Sequence, residues 1–177
     1  MTLRIAQLGE PILHTPAVPI IEACEPAVQK LIGELILTLQ AARGVGIAAP
    51  QVGVGVQLLV VASRPNPRYP DAPLMDPLVL INPRLLGHSD LEVLGWEGCL
   101  SVPERRGLIS RYQAVEVEYI DRDGRMQTAE MQDFVARIFQ HEYDHLLGKV
   151  FPDRAQQILS EDDYQAKLDL LQGAPAR

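Results

Sequence analysis

The sequence predicts an α+β fold of one compact domain over residues 1–177, in which short mixed or antiparallel strands pack around a central helix. Two observations predict this class. Helix-like and strand-like patterns are mixed along the chain, without the regular alternation that builds a parallel sheet. The length of 177 residues is that of a single domain, and 47% hydrophobic residues are enough to enclose a core around a buried site. We also expect a helix near the N-terminus and a C-terminal helix and tail over about residues 155–177.

The N-terminal half is predicted to contain one helix and two buried strands. The helix covers residues 26–42, because proline is tolerated in a first turn and apolar residues recur at helical spacing until Gly44. Apolar runs at residues 56–62 and 78–81 predict the strands. Between them, residues 63–77 contain five of the fourteen prolines, which indicates a surface excursion and not a domain boundary.

Three further segments predict strands in the second half of the chain. Residues 91–96 are a third apolar candidate. In residues 114–119, apolar side chains alternate with glutamates, and residues 121–124 (DRDG) turn the chain towards a partner strand over residues 126–131. These last two strands should form a hairpin with one exposed face.

Two helices are predicted after the hairpin. The first begins at Asp133, whose side chain is suited to cap it, and ends before Gly148. One stripe of this helix should face inward: Phe134, Ile138, His141 and His145. The last helix starts at Ser160, which can cap it together with Asp163.

Composition and charge argue against several classes of function. The net charge of −7 and isoelectric point of about 5.1 disfavour nucleic acid as the main ligand. Two cysteines, Cys24 and Cys99, are too few for a disulfide-stapled secreted scaffold. The first residues lack an apolar run of signal-peptide length, and no run of about 18 apolar residues suggests a membrane span. We therefore expect a soluble, cytoplasmic protein.

The strongest local pattern is His-Glu-Tyr-Asp-His over residues 141–145. His141 and His145 are one helical turn apart, so both imidazoles can point at one divalent metal ion, with Glu142 beside them. Imidazole suits zinc and ferrous iron, and the intervening carboxylate can take a proton from water that the ion has acidified. The central helix is therefore predicted to bind metal. The alternative is two histidines with ordinary structural hydrogen bonds.

A catalytic centre of this kind usually takes three protein ligands, so a third must be found. A zinc peptidase would take this third ligand from the segment after His145. None of the acidic residues there lies in a sequence context typical of a metal ligand: Asp153, Glu161, Asp162, Asp163 and Asp169. Upstream, Cys99 lies in residues 97–101 (EGCLS), with a soft thiolate donor and a glycine that permits close backbone approach. Taken alone, Cys99 is more simply a buried inert thiol.

Three segments together resemble the signature motifs of the peptide deformylase family, in their order and approximate spacing. They are residues 44–51 (GVGIAAPQ), 97–101 (EGCLS) and 140–145 (QHEYDH). Shorter matches extend the resemblance over nearly the whole chain up to Arg154. The resemblance implies hydrolysis of the N-formyl group from the N-terminal formylmethionine of newly made polypeptides, with release of formate.

The resemblance also implies a role for each site residue. The metal ligands would be Cys99, His141 and His145. Glu142 would take a proton from the attacking water and pass one to the leaving amine. The Gln51 side-chain amide and the Leu100 backbone N–H would donate hydrogen bonds to the developing oxyanion.

The substrate would lie as an extended strand beside the glycine-containing segment. Residues expected to line its binding site are Gly44, Val45, Gly46, Leu100 and Glu97. Glu97 is also expected to pair with a buried arginine. Outside the ligands, Gln140 and Asp144 would give support, with Asp144 orienting one imidazole.

The sequence identifies the metal ion and the partners less directly than it identifies the site residues. A Cys-His-His site accepts zinc, iron, nickel or cobalt, and the resemblance implies Fe²⁺ as the physiological ion. The partners would be N-formylmethionyl nascent peptides. Some family members dock on the ribosome through a basic tail helix, but this chain is acidic after Ser160, which argues against that route. Two alternatives stay open: a zinc metallopeptidase that uses the same helix, and a non-catalytic metal-binding homologue.

Overall fold

The computed structural model describes residues 1–65 and 69–172. Within these residues, eight strands form two antiparallel sheets, and three α-helices accompany them. The helices are α1 (Pro26–Ala41), α2 (Asp133–Leu146) and α3 (Glu161–Gln172). The predicted α+β class is confirmed.

The larger sheet has five strands in the order β1-β2-β3-β6-β7. Their bounds are β1 (Gly46–Ala48), β2 (Leu58–Val61), β3 (Leu78–His88), β6 (Ala114–Ile120) and β7 (Met126–Gln132). The smaller sheet has the order β4-β5-β8, with β4 (Glu92–Cys99), β5 (Val102–Tyr112) and β8 (Gln157–Ser160). The predicted hairpin is confirmed as the pair β6 and β7, in register from Ala114 opposite Gln132 to Ile120 opposite Met126.

Helix α1 closes one face of the larger sheet. Its buried residues Ile32, Leu35 and Leu39 join one core cluster with apolar side chains of β2 and β3. Burial of each such side chain contributes roughly 1.5–3 kcal/mol of transfer free energy, which holds the helix on the sheet. The predicted helix over residues 26–42 is confirmed to within one residue.

Helix α2 lies between the two sheets, which confirms its predicted central position. It contacts β1 and β2 of the larger sheet and β5 of the smaller one. Its apolar residues Ile138 and Phe139 are buried in a cluster with Leu59 and Val61 of β2. The helix therefore carries its polar residues into a space that both sheets enclose.

Three strands were not predicted from the sequence. Of these, β5 matters most for the site, because it carries Arg106 and Arg111. Its N-terminal half contains Glu104, Arg105 and Arg106, which breaks the alternating apolar pattern of a strand. Backbone pairing with β4 on one side and β8 on the other stabilises it instead. The other two, β1 and β8, have only three and four residues, too few to show a period.

The predicted caps had different outcomes. Ser160 Oγ accepts a hydrogen bond from the backbone N–H of Asp163 at 3.1 Å, which confirms the cap of α3. Asp133 does not cap α2: Gln132 occupies that position without a side-chain bond, and Asp133 is the first helical residue, with a φ of 49°. Its carboxylate instead accepts a hydrogen bond from Gln113. Within the described residues, none of the helices combines the length and apolar character needed to cross a bilayer.

Candidate metal centre

Two elements bring a thiol and two imidazoles together. Cys99 is the last residue of β4, and His141 and His145 lie one turn apart on α2. The ligating atoms of the three residues lie within 4.8 Å of one another. The Cys99 Sγ atom is 3.3 Å from His145 Nε2, and the two imidazole centroids are 5.2 Å apart.

This cluster fits a divalent cation. Its donors are one soft sulfur and two imidazole nitrogens, a set that zinc and ferrous iron accept. Two buried polar atoms beside it, Nδ1 of His145 and Oε2 of Glu142, have no hydrogen-bond partner among the described residues. Oε2 of Glu142 is therefore available to a group bound beside the cluster, whereas His145 faces Cys99 through Nε2 and not through Nδ1. The five downstream acids considered above lie outside the cluster.

A carboxylate orients the first imidazole. Oε2 of Glu97 lies 2.9 Å from Nδ1 of His141, which leaves the Nε2 atom of that ring for a metal. Arg111 binds both oxygens of Glu97, at 2.9 and 3.0 Å, and Arg137 binds Oε1 at 2.8 Å. Burial acts to raise the pKa of Glu97, but the hydrogen bonds from His141 and Arg111 outweigh it and hold the pKa well below its usual range. The carboxylate is therefore charged.

Asp144 does not orient an imidazole, so that prediction is wrong. Its Oδ2 accepts a hydrogen bond from Arg111 at 2.6 Å, and its Oδ1 accepts one from Arg154 at 2.7 Å. Asp144 thus holds Arg111, which in turn holds Glu97. Gln140 likewise supports the fold and not a ligand, because its side chain bonds the backbone of Tyr112 and Ala136.

Glu142 occupies the opposite side of the cluster. It is buried, and burial raises its pKa to about 7, against a lowering by His141. Gly46 of β1 packs directly against it: a Cβ atom there would lie 2.5 Å from Oε1 of Glu142 and 2.7 Å from Ile138. Glycine at this position is what leaves room for the carboxylate.

Gln51 reaches the cluster from a 3₁₀ turn, Ala49–Val52, that follows β1. Its Oε1 accepts a hydrogen bond from the Ala48 N–H at 2.8 Å, which fixes the side chain. Its Nε2 then donates to Cys99 Sγ at 3.4 Å and to Ser101 Oγ at 3.2 Å. The amide group therefore lies immediately beside a candidate metal ligand.

An open cleft leads to this cluster. It brings together nearly all residues that the sequence pointed to: Gly44, Val45, Gly46, Gln51, Glu97, Cys99, Leu100, His141 and Glu142. His145 lies behind the cleft and is fully buried. The wall also contains residues that sequence reasoning missed: Arg43, Tyr69, Arg106, Phe134, Arg137 and Ile138. Arg137 had a usable signal, because it precedes His141 by one helical turn.

A cluster of one cysteine sulfur and two buried imidazoles, a neighbouring carboxylate and an open cleft together define the metallohydrolase class. Comparison with known proteins agrees. A family model for polypeptide deformylase matches residues 2–161. A peptide deformylase 2 of a Nostoc species is 54% identical over 166 residues, covering 92% of this chain and 93% of the relative. One from Shewanella oneidensis is 46% identical over 154 residues, with 87% and 84% coverage.

Solved structures point the same way. A class I type b peptide deformylase from Acinetobacter baumannii, bound to Met-Ala-Ser, has a TM-score of 0.85 at 44% identity and covers 87% of this chain and 98% of its own. The enzyme from Thermotoga maritima has a TM-score of 0.79 at 32% identity, with 89% and 99% coverage. The chain belongs to the polypeptide deformylase family. It is a hydrolase that removes the N-formyl group from nascent polypeptides.

Proposed function

We propose that this chain hydrolyses the formyl amide of formylmethionyl peptides at a single divalent metal ion held by Cys99, His141 and His145. The observation that carries the proposal is the position of Glu142, a buried carboxylate beside the cluster and on the wall of the open cleft. A structural metal site has no need of such a group. The bound ion would supply Lewis-acid polarisation of the formyl carbonyl and acidify the attacking water.

Glu142 moves the protons. Its unpartnered Oε2 is the atom available to take a proton from the attacking water, and the same carboxylate then delivers a proton to the leaving amine. Gly46 leaves space for this side chain, so the carboxylate can sit close to the reacting atoms. General acid–base catalysis of this type typically contributes about 10²–10⁴-fold in rate.

Gln51 and Leu100 stabilise the developing negative charge on the formyl oxygen. The Gln51 amide is already turned towards Cys99, because its oxygen is held by the Ala48 N–H. The backbone N–H of Leu100, which directly follows Cys99, is the second donor. Each donor of this kind is worth about a hundredfold or more in turnover.

The peptide lies between the glycine-containing segment and the segment after Cys99. Gly44 and Gly46 permit close backbone approach, and Val45 and Leu100 contact the methionine side chain. The Acinetobacter baumannii relative binds Met-Ala-Ser, which supports a peptide of this class here. Glu97 supports the metal ligand in this proposal, because both of its oxygens are engaged by His141 and two arginines, in line with its expected pairing with a buried arginine. It also lines the cleft, as expected for a residue of the substrate site.

The metal is Fe²⁺ in this proposal on grounds of family resemblance, because the donor set itself also accepts zinc, nickel and cobalt. Nascent formylated peptides are the substrates, which places the enzyme where translation occurs, in the cytoplasm. The acidic first turn of α3, with Glu161, Asp162 and Asp163, makes that helix a poor ligand for ribosomal RNA.

The test is formate release. Protein loaded anaerobically with Fe²⁺ is assayed on formyl-Met-Ala-Ser, alongside Glu142→Ala and the matched control Glu130→Ala, which removes an exposed glutamate on β7. Glu142→Ala should lose at least about a hundredfold in turnover with its metal content unchanged, and the control should lose nothing. Absence of formate from the wild type, or full activity of Glu142→Ala, would refute the proposal. Cleavage of internal amide bonds would favour a metallopeptidase.

A further inference from the structure

One cationic side chain stands at the mouth of the cleft without a partner. Arg43 follows the C-terminal end of α1, is exposed, and lines the cleft next to Gly44. No hydrogen bond or ion pair of its guanidinium occurs among the described residues, whereas its backbone N–H donates to Gln40. The side chain is therefore available to a ligand in the cleft.

The other charged groups on the cleft wall either form ion pairs or are buried beside the metal cluster. Arg106 forms a bidentate pair with Glu161 at 2.8 and 3.0 Å, and Arg137 binds Glu97. Glu142 is buried beside the metal cluster. Among the described residues of the wall, Arg43 is thus the one formal charge at the mouth with no counter-charge, although the protein as a whole carries −7.

The backbone at this position is also unusual. Arg43 has a φ of 52°, in the left-handed region that arginine rarely adopts and that glycine or asparagine occupies at lower cost. A cation near a helix C-terminus is favourable, but by less than the left-handed backbone costs. The backbone therefore does not account for arginine at this position, which leaves a role for its side chain.

We propose that Arg43 binds the carboxylate of an acidic substrate side chain, at the second or third residue after the formylmethionine. This rests on the proposed function. The formyl group must reach the buried cluster, so the rest of an extended peptide leaves through the open mouth, past Arg43. An exposed Arg–carboxylate pair strengthens binding by about two- to fivefold, and salt weakens it.

The test uses C-terminally amidated formyl-Met peptides. One series varies the second residue after formylmethionine among Asp, Asn and Lys, and another varies the third. The wild type should show kcat/KM about two- to fivefold higher for Asp than for Asn in at least one series, through KM, and the preference should vanish at about 0.5 M salt. Arg43→Glu should reverse the order, so that Lys is preferred, and Arg43→Asn, which also suits the left-handed backbone, should abolish it.

Arg125→Glu is the matched control, because it makes the same change in net charge. Arg125 is exposed near the turn between β6 and β7, and that turn is bonded to Gln29 in the first part of α1, whereas Arg43 follows its end. The helix rise puts these points about 20 Å apart. Arg125→Glu should leave the preference intact. An equal effect of both variants, or no preference in the wild type, would overturn the proposal. Failure of the neutral peptides to release formate would instead refute the deformylase activity.

Discussion

Two glutamates of the candidate centre, Glu97 and Glu142, are equally buried, each 4% exposed, yet their surroundings are opposite. Both oxygens of Glu97 accept hydrogen bonds from a histidine or an arginine. Oε2 of Glu142 has no partner among the described residues, and its pKa is raised to about 7, whereas that of Glu97 is lowered. Burial by itself therefore does not determine the state of a carboxylate.

The difference divides the centre into a supporting half and a reacting half. In the supporting half, Arg111 joins Glu97 to Asp144, and every carboxylate oxygen is satisfied. Such a network holds His141 in one orientation before any metal or substrate binds. In the proposed reacting half, Oε2 of Glu142 has no partner among the described residues, as the proposal requires of the atom that transfers protons.

The largest expected effect is the difference in the free energy of unfolding between two single variants, Glu97→Gln and Glu142→Gln. Glu97→Gln removes the charge that pairs with buried Arg111 and partly buried Arg137, and it should lower the free energy of unfolding by about 3–5 kcal/mol. Glu142→Gln removes a carboxylate whose charged form burial disfavours, and it should not lower the free energy of unfolding. Chemical denaturation of both metal-free variants at neutral pH measures the contrast. Equal losses would mean that the two halves do not differ as described.

The pH dependence sharpens the contrast in metal-stripped protein. The pKa of Glu142 rises from 4.5 to about 7 on folding, so the folded state keeps a proton that the unfolded state has lost. The stability of the wild type relative to Glu142→Gln should therefore be highest below pH 4.5 and fall by about 3 kcal/mol as the pH rises to about 7. The charge of Glu142 also raises the pKa of His141, so the difference between the two curves reports Glu142 together with this coupling. A flat difference would contradict the assignment.

A smaller effect, on kcat, is expected when a methyl group is added next to Glu142. In Gly46→Ala, the added methyl group would meet Glu142 and Ile138 at 2.5 and 2.7 Å, so the carboxylate must shift. Displacement of a catalytic group by about 1 Å can cost up to about a hundredfold, and we expect a loss of kcat of about ten- to a hundredfold. Gly33→Ala in α1 is the control, because its methyl group meets nothing within 4 Å. That variant should keep full activity and gain about 0.5–1 kcal/mol of stability.

The smallest effect concerns the contact between α3 and the cleft. Arg106 is 4% exposed and pairs with Glu161, whose side chain is 40% exposed. Glu161→Gln should therefore cost less than about 1 kcal/mol of stability. Because Arg106 lines the cleft, KM should change by a few-fold with kcat unchanged, and Glu161→Asp should restore part of it. A change confined to kcat would show that α3 acts on the chemistry and not on binding.

Much of this protein was predictable from local pattern. The spacing of His141 and His145 determined that two imidazoles share one helix face, since a helix repeats every 3.6 residues. The apolar stripe of α1 and the alternation in β6 likewise determined those elements. The resemblance to deformylases singled out Cys99 as a ligand, which the residues alone left open.

Only the tertiary structure decided which polar groups meet. The charged segment of β5 showed no strand period, yet it brings Arg106 to the cleft wall, and the same strand brings Arg111 to the core. The pairing of Arg111 with Glu97 and Asp144 joins residues 14 and 33 positions apart. Hydrogen bonds act over about 3 Å in space and carry no trace in sequence spacing. The sequence therefore determined the helix that carries both histidines, and tertiary packing decided which groups surround each of the two equally buried glutamates.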